Sequence, residues 1–107
     1  MQKRIYLPST LLPTLGFLFA TPALSAEADL AKAEKVYKRS CATCHGKQGE
    51  KPAMGESKII NQLKPEEIST ALSERKAGNI TGAGSPAKQR LSEQDIHNLS
   101  EYIQTLK

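Results

Sequence analysis

Residues 41–46 read CATCHG: Cys41, Ala42, Thr43, Cys44 and His45 run without a break into Gly46. Two thiols at this spacing lie about one helical turn apart and can meet one edge of a single flat ligand. An imidazole follows at the next position. This C-x-x-C-H order is the attachment pattern for a covalently held haem. Each thiol adds to a vinyl group on the same porphyrin edge, and the His45 imidazole projects over the ring face to reach the iron. Three blander readings compete with it. A thioredoxin-like C-x-x-C expects a preceding strand and a βαβ setting, and no segment of this chain alternates as a strand does. A structural zinc site needs four ligands, whereas the only other histidine, His97, lies far along the chain. A plain disulfide accounts for two cysteines in an exported chain but leaves His45 without a role.

Export is read from the start of the chain. Residues 1–26 begin with Lys3 and Arg4, continue uncharged and apolar from Ile5 to Ala26, and finish among the small residues of ALSAEA. That is the layout of a secretory signal peptide, cut after Ala26 or after Ala28. Pro8, Pro13 and Pro22 interrupt the apolar run, which makes a membrane-spanning helix the weaker reading and leaves no stable span after leader removal. The domain proper is then 27–107. Loss of Lys3 and Arg4 leaves it 13 basic against 11 acidic side chains, with no basic run or aromatic ladder, so nucleic acid is not its partner. A domain this small buries only about 60% of its unfolded surface. With no tryptophan and few other aromatics, something besides side chains must fill its core.

Periodicity around the motif is helical throughout. In the segment 29–40, Leu30, Ala33, Val36 and Tyr37 recur at helix spacing, so a helix runs into Cys41. Residues 46–63 are rich in Gly, Pro and Lys and read as loop, anchored by Ile59, Ile60 and Leu63. A second helix follows. Pro65 suits its first turn, Glu66 and Glu67 complement its dipole, and Gly78 can close its end. Ile68, Ala71, Leu72 and the stem of Arg75 face inward. Ser92 and Asp95 mark the start of the last helix, with Leu91 and Ile96 placed as a hydrophobic staple. Ile96, Leu99, Ile103 and Leu106 form its apolar stripe. The class is all-α.

These features resemble class I cytochromes c, the small monohaem kind of the bacterial periplasm or one half of the tandem two-haem kind. The likeness covers essentially all of 29–107. In that family the first helix carries a small residue and an aromatic, matched here by Ala33 and Tyr37. The last helix carries a Leu-x-x-Tyr that packs across them, matched by Leu99-Ser100-Glu101-Tyr102. The resemblance implies a cytochrome c fold of three to four helices around one covalent haem c, held by Cys41 and Cys44. It also implies His45 as the proximal iron ligand. The other ring nitrogen of His45 would donate to a backbone carbonyl in the 49–55 loop, near Pro52. Gly46 and Gly49 would let that backbone pass close to the ring.

The resemblance also exposes a gap. The family's distal ligand is a methionine seven residues before the apolar residue that precedes the Ser cap. Counting back from Leu91 lands on Gly84, within GNITGAGSPAKQRLS at 78–92, a stretch with no bulky apolar side chain between Ile80 and Leu91. The only methionine of 27–107 is Met54, in the loop after His45, where a packing role is the favoured reading. The sixth position therefore has three open answers: a vacant or water-filled site, Met54 after a loop rearrangement, or a side chain of the distal loop. Lys88 is the best nitrogen donor in that loop, and Asn79 or Gln89 would be weak ligands. His97 reads as a surface residue.

Two functions follow. One is a non-enzymatic carrier passing single electrons between redox proteins of the periplasm or inner membrane. The other is a haem-based binder of a small gas such as NO or CO, resting on Gly84 alone. No carboxylate pair or nucleophile constellation points to substrate catalysis. Lys38, Arg39, Lys47, Lys51, Lys58, Lys88 and Arg90 flank the segments expected to frame the haem edge. They read as an ordinary soluble surface or as a dock for an acidic redox partner.

Overall fold

Asp29 begins the first helix. Its carboxylate accepts from the backbone N–H of Lys32 at 3.0 Å, a cap that satisfies a donor the helix cannot. This is a computed structural model of the chain. It describes residues 27–107 and, before them, only Gln2, Arg4 and Gly16; apart from these three, the predicted leader lies outside the described residues.

Helix α1 spans Leu30–Ser40, and the backbone breaks at Cys41 before a short α2 at Ala42–His45. The loop that follows contains single 3-10 turns at Ala53–Gly55 and Ile60–Gln62. Helix α3 covers Pro65–Lys76, with Pro65 in its first turn and the Glu67 carboxylate accepting from the Lys64 N–H at 3.2 Å. Helix α4 is Ser85–Gln89, and α5 is Glu93–Gln104. At the start of α5 the Ser92 hydroxyl accepts from the Asp95 N–H at 2.9 Å. The Asp95 carboxylate accepts from the Ser92 N–H at 3.0 Å, which completes a capping box. No strand occurs among the described residues.

The core lies where α5 packs against α1 and α3. Ala33 and Tyr37 of α1 meet Leu99 and Tyr102 of α5, and the two tyrosine rings tilt at 55° with centroids 5.6 Å apart. That edge-tilted geometry suits the quadrupoles of aromatic pairs. Ile68, Leu91, Ile96 and Ile103 complete the buried apolar set. Leu106 belongs to the same stripe but lies past the end of α5, in a turn where its N–H donates to the Ile103 carbonyl at 3.1 Å.

The distal loop differs from its expected form. Residues 78–92 contain α4 instead of running as a bare linker. Buried Ser85 accepts from the Gly82 N–H at 2.7 Å, and Pro86 sits in the first turn with its φ already helical. A helix of five residues is too short to show an apolar periodicity, which is why the pattern misses it. Among the described residues, no helix is long and apolar enough to cross a membrane.

Candidate haem-attachment site

Helix α1 delivers the chain to Cys41, and the break there turns α2 so that the motif forms its own short helix. No disulfide joins the two cysteines. Cys41 is partly buried against the core and Cys44 is exposed. The chain leaves α2 through Gly46, whose φ of +87° favours glycine. A side chain at that position would also run into the Glu50 carboxylate. The Tyr37 hydroxyl donates to the Gly46 carbonyl at 2.6 Å and so braces the end of the motif against α1.

His45 is half-buried, and its Nδ1 is buried with no hydrogen-bond partner among the described residues. The expected donation to a carbonyl near Pro52 is not made. The 3-10 turn closes on that carbonyl, which accepts from the Gly55 N–H at 2.9 Å, while the loop is tied back by the Lys51 N–H donating to the His45 carbonyl at 2.9 Å. Burial, then the charges of Lys88 and Arg75, hold the imidazole below its ordinary pKa. A neutral imidazole is the form that binds a metal.

Those two cations come from different elements. Arg75, on α3, donates from Nη1 to the Ala71 carbonyl at 2.9 Å and is half-buried. Sequence reading placed its stem inward but missed its charge as part of the site; the inward spacing with Ile68, Ala71 and Leu72 was the available signal. Lys88, on α4, is also half-buried, and its ammonium is disfavoured by burial and then by Arg75, with Cys41 and Cys44 acting in the opposite sense. Burial pushes the Cys41 thiol up, and Lys88 partly offsets this. The structure thus gathers Cys41, Cys44, His45, Arg75 and Lys88 within electrostatic reach of one another.

Other candidates are placed elsewhere. Met54 is 75% exposed and adopts a left-handed backbone with φ of +55°, so the packing role expected for it is not seen. It sits in the middle of the tight turn after Pro52, where its side chain is carried outward. The Asn79 amide donates to the Glu74 carboxylate at 2.9 Å, and Gln89 and His97 are exposed. Of the flanking cations, Arg39, Lys47, Lys51, Lys58 and Arg90 are exposed, as is Lys38, which pairs with Glu34 at 2.6 Å; Lys88 is the exception.

These residues suit a flat, largely apolar group with a metal at its centre. The buried apolar set is small, and Val36, Cys41, Ala42, Ile60, Leu63, Leu72 and Leu106 pack on it while staying only partly buried. The buried Nδ1 of His45 makes no hydrogen bond to the protein, so no such bond holds the ring away from a metal. Among the described residues, no three His, Cys, Asp or Glu side chains converge to hold a metal ion by themselves, so a structural zinc site lacks its ligands.

An all-helical domain presenting C-x-x-C-H from a short helix braced by paired tyrosines defines a c-type cytochrome, a protein of electron transfer. Residues 28–103 match the family described as cytochrome C oxidase, cbb3-type, subunit III. The chain is 42% identical over 83 residues to cytochrome c-553 of Helicobacter pylori strain 26695, covering 77% of this chain and 86% of that protein. It is 37% identical over 91 residues to cytochrome c-554(547) of Halothiobacillus neapolitanus, covering 74% of this chain and 98% of that one. The chain belongs to the cytochrome c family, which implies a covalently bound haem c.

Proposed function

We propose that this chain is an exported electron carrier of the periplasm, with a leader at 1–26 removed and one haem held by domain 27–107. Thioethers at Cys41 and Cys44 would fix the group, and His45 would bind its iron on the proximal side. The observation that carries this reading is the motif itself: two cysteines not joined to each other and a half-buried imidazole, presented at the start and along one short helix at the edge of an undersized core. When bound, the haem supplies a one-electron iron couple. The chain's own residues do the rest. The Tyr37 hydroxyl holds the Gly46 backbone and hence the orientation of α2. Burial keeps the His45 imidazole neutral and able to ligate. The exposed Arg39, Lys47, Lys51, Lys58 and Arg90 form the surface for an acidic redox partner, steering encounter more than adding affinity.

The test is expression with a cytochrome c maturation system, followed by fractionation, mass analysis and redox titration. The reading expects a periplasmic product with one haem added at residues 41 and 44, and a single one-electron wave. Its reaction rate with an acidic redox protein should fall steeply with ionic strength. A chain that exports but carries no haem would sink it. A second reading, a gas-binding haem protein, is favoured by Gly84 standing where the resemblance expects a ligand; rapid CO binding by the ferrous form would support it.

A further inference from the structure

A side chain at residue 84 would meet the end of the Lys88 side chain. A Cβ placed on Gly84 would come within 2.8 Å of the Lys88 Nζ. Lys88 lies one turn along α4, and its backbone N–H donates to the Gly84 carbonyl at 3.3 Å. Helical side chains lean toward the N-terminus of their own helix, so the lysine stem folds back over residue 84. Two further observations point the amine inward. It is half-buried while the other flanking cations are exposed. It also lies near enough to Cys41, Cys44 and His45 to interact electrostatically with each.

Resting on the reading of this chain as a haem carrier, we propose that the Nζ of Lys88 is the sixth iron ligand, standing in for the methionine that the resemblance places at Gly84. With no side chain at 84, the amine rests in the space that a methionine rooted there would enter, and its flexible end would have to move aside for one. A ligating amine must be neutral, so binding releases one proton to solvent. Asn79 and Gln89 do not compete, since Asn79 is tied to Glu74 and Gln89 is exposed. The competing role for Lys88 is that of a counter-ion, together with Arg75, for the haem carboxylates.

The experiment compares optical and electron-paramagnetic spectra of the ferric holoprotein with those of Lys88→Ala and Gly84→Met. Haem content by mass and helicity by circular dichroism establish that each variant is loaded and folded. The wild type should be low-spin, with no methionine-to-iron charge-transfer band and no rapid CO binding when reduced. Lys88→Ala should lose the low-spin signature and bind CO rapidly. Gly84→Met should gain the methionine band, because the flexible lysine end can swing away. A folded, loaded Lys88→Ala with an unchanged spectrum overturns the proposal and leaves the counter-ion role. A high-spin wild type, or a methionine band in the wild type, overturns it in favour of an open site or of Met54. Absence of thioether-bound haem sinks the carrier reading itself, a failure that the mass measurement separates from all of these.

Discussion

The Tyr37 hydroxyl donates across 2.6 Å to the carbonyl of Gly46, linking the centre of α1 to the residue directly after the C-x-x-C-H motif. This buried bond makes the orientation of the motif depend on helix packing. Tyr37→Phe removes the donor and leaves the Gly46 carbonyl only the longer bond from the Gly49 N–H at 3.3 Å, at a cost of about 0.5–1.5 kcal/mol. Urea denaturation of the holoprotein measures it. Burial, then the nearby Cys41 thiol, pushes the Tyr37 phenol up to about 12 from its ordinary 10.0. Because the folded value is raised, this contribution to stability is complete below about 10 and is lost as pH rises through about 12. Burial raises Tyr102 as well, so ultraviolet titration should find both tyrosines ionising late, and Tyr37→Phe should remove the later of the two.

Replacing both thiols tests what the core depends on. With the buried apolar set limited to Ala33, Tyr37, Ile68, Leu91, Ile96, Leu99, Tyr102 and Ile103, the side chains alone bury too little for a domain of this size. Cys41→Ser with Cys44→Ser should give a chain without cooperative unfolding by calorimetry and with reduced helical ellipticity. A cooperative, helical double mutant would show that the core stands without its cofactor.

The capping box of α5 sets an acid limit. The Ser92 backbone N–H holds the Asp95 carboxyl below its ordinary range, against a smaller effect of burial, and the Ser92 hydroxyl and Lys32 assist. A depressed folded value means the stabilisation is present above the ordinary carboxylate pKa and lost as pH falls through the lower, folded one. Asp95→Asn should flatten the acid side of the stability profile, measured by urea midpoints at several pH values. Ser92→Ala should cost about 1 kcal/mol at neutral pH.

Met54 is assigned no part in ligation. Its side chain is 75% exposed on a left-handed turn. Met54→Leu should leave the haem spectrum and the CO-binding rate of the holoprotein unchanged. A loss of low-spin character in that variant would move the distal ligand to the loop after His45.

Several elements were legible in the residues because their physics is local. The spacing of Cys41, Cys44 and His45 defines chemistry within one helical turn. Ser92 and Asp95 complete each other's hydrogen bonds at three residues' separation. Leu99 follows from the stripe of the last helix, while its packing with Tyr102 across Ala33 and Tyr37 follows from the resemblance. Helix α4 was not legible, since Ser85 and Pro86 start a helix too short to carry a pattern. Nor was the role of Asn98, a buried amide whose oxygen accepts from the Asp29 N–H at 2.9 Å across 69 residues of chain. No property of Asn98 alone names that partner.

The sequence by itself determined the attachment motif and the all-helical class, decided by residue type and short-range spacing, while the missing methionine at Gly84 follows only from the resemblance. The tertiary structure decided which cations turn inward. Seven Lys and Arg side chains flank the expected haem edge, and all look alike in the linear chain. Only the packing of α4 beside α3 half-buries Lys88 and sets it beside Arg75 near the motif, while the rest stay exposed. A charge's burial depends on neighbours far away in the chain, and those neighbours exist only once the helices have met.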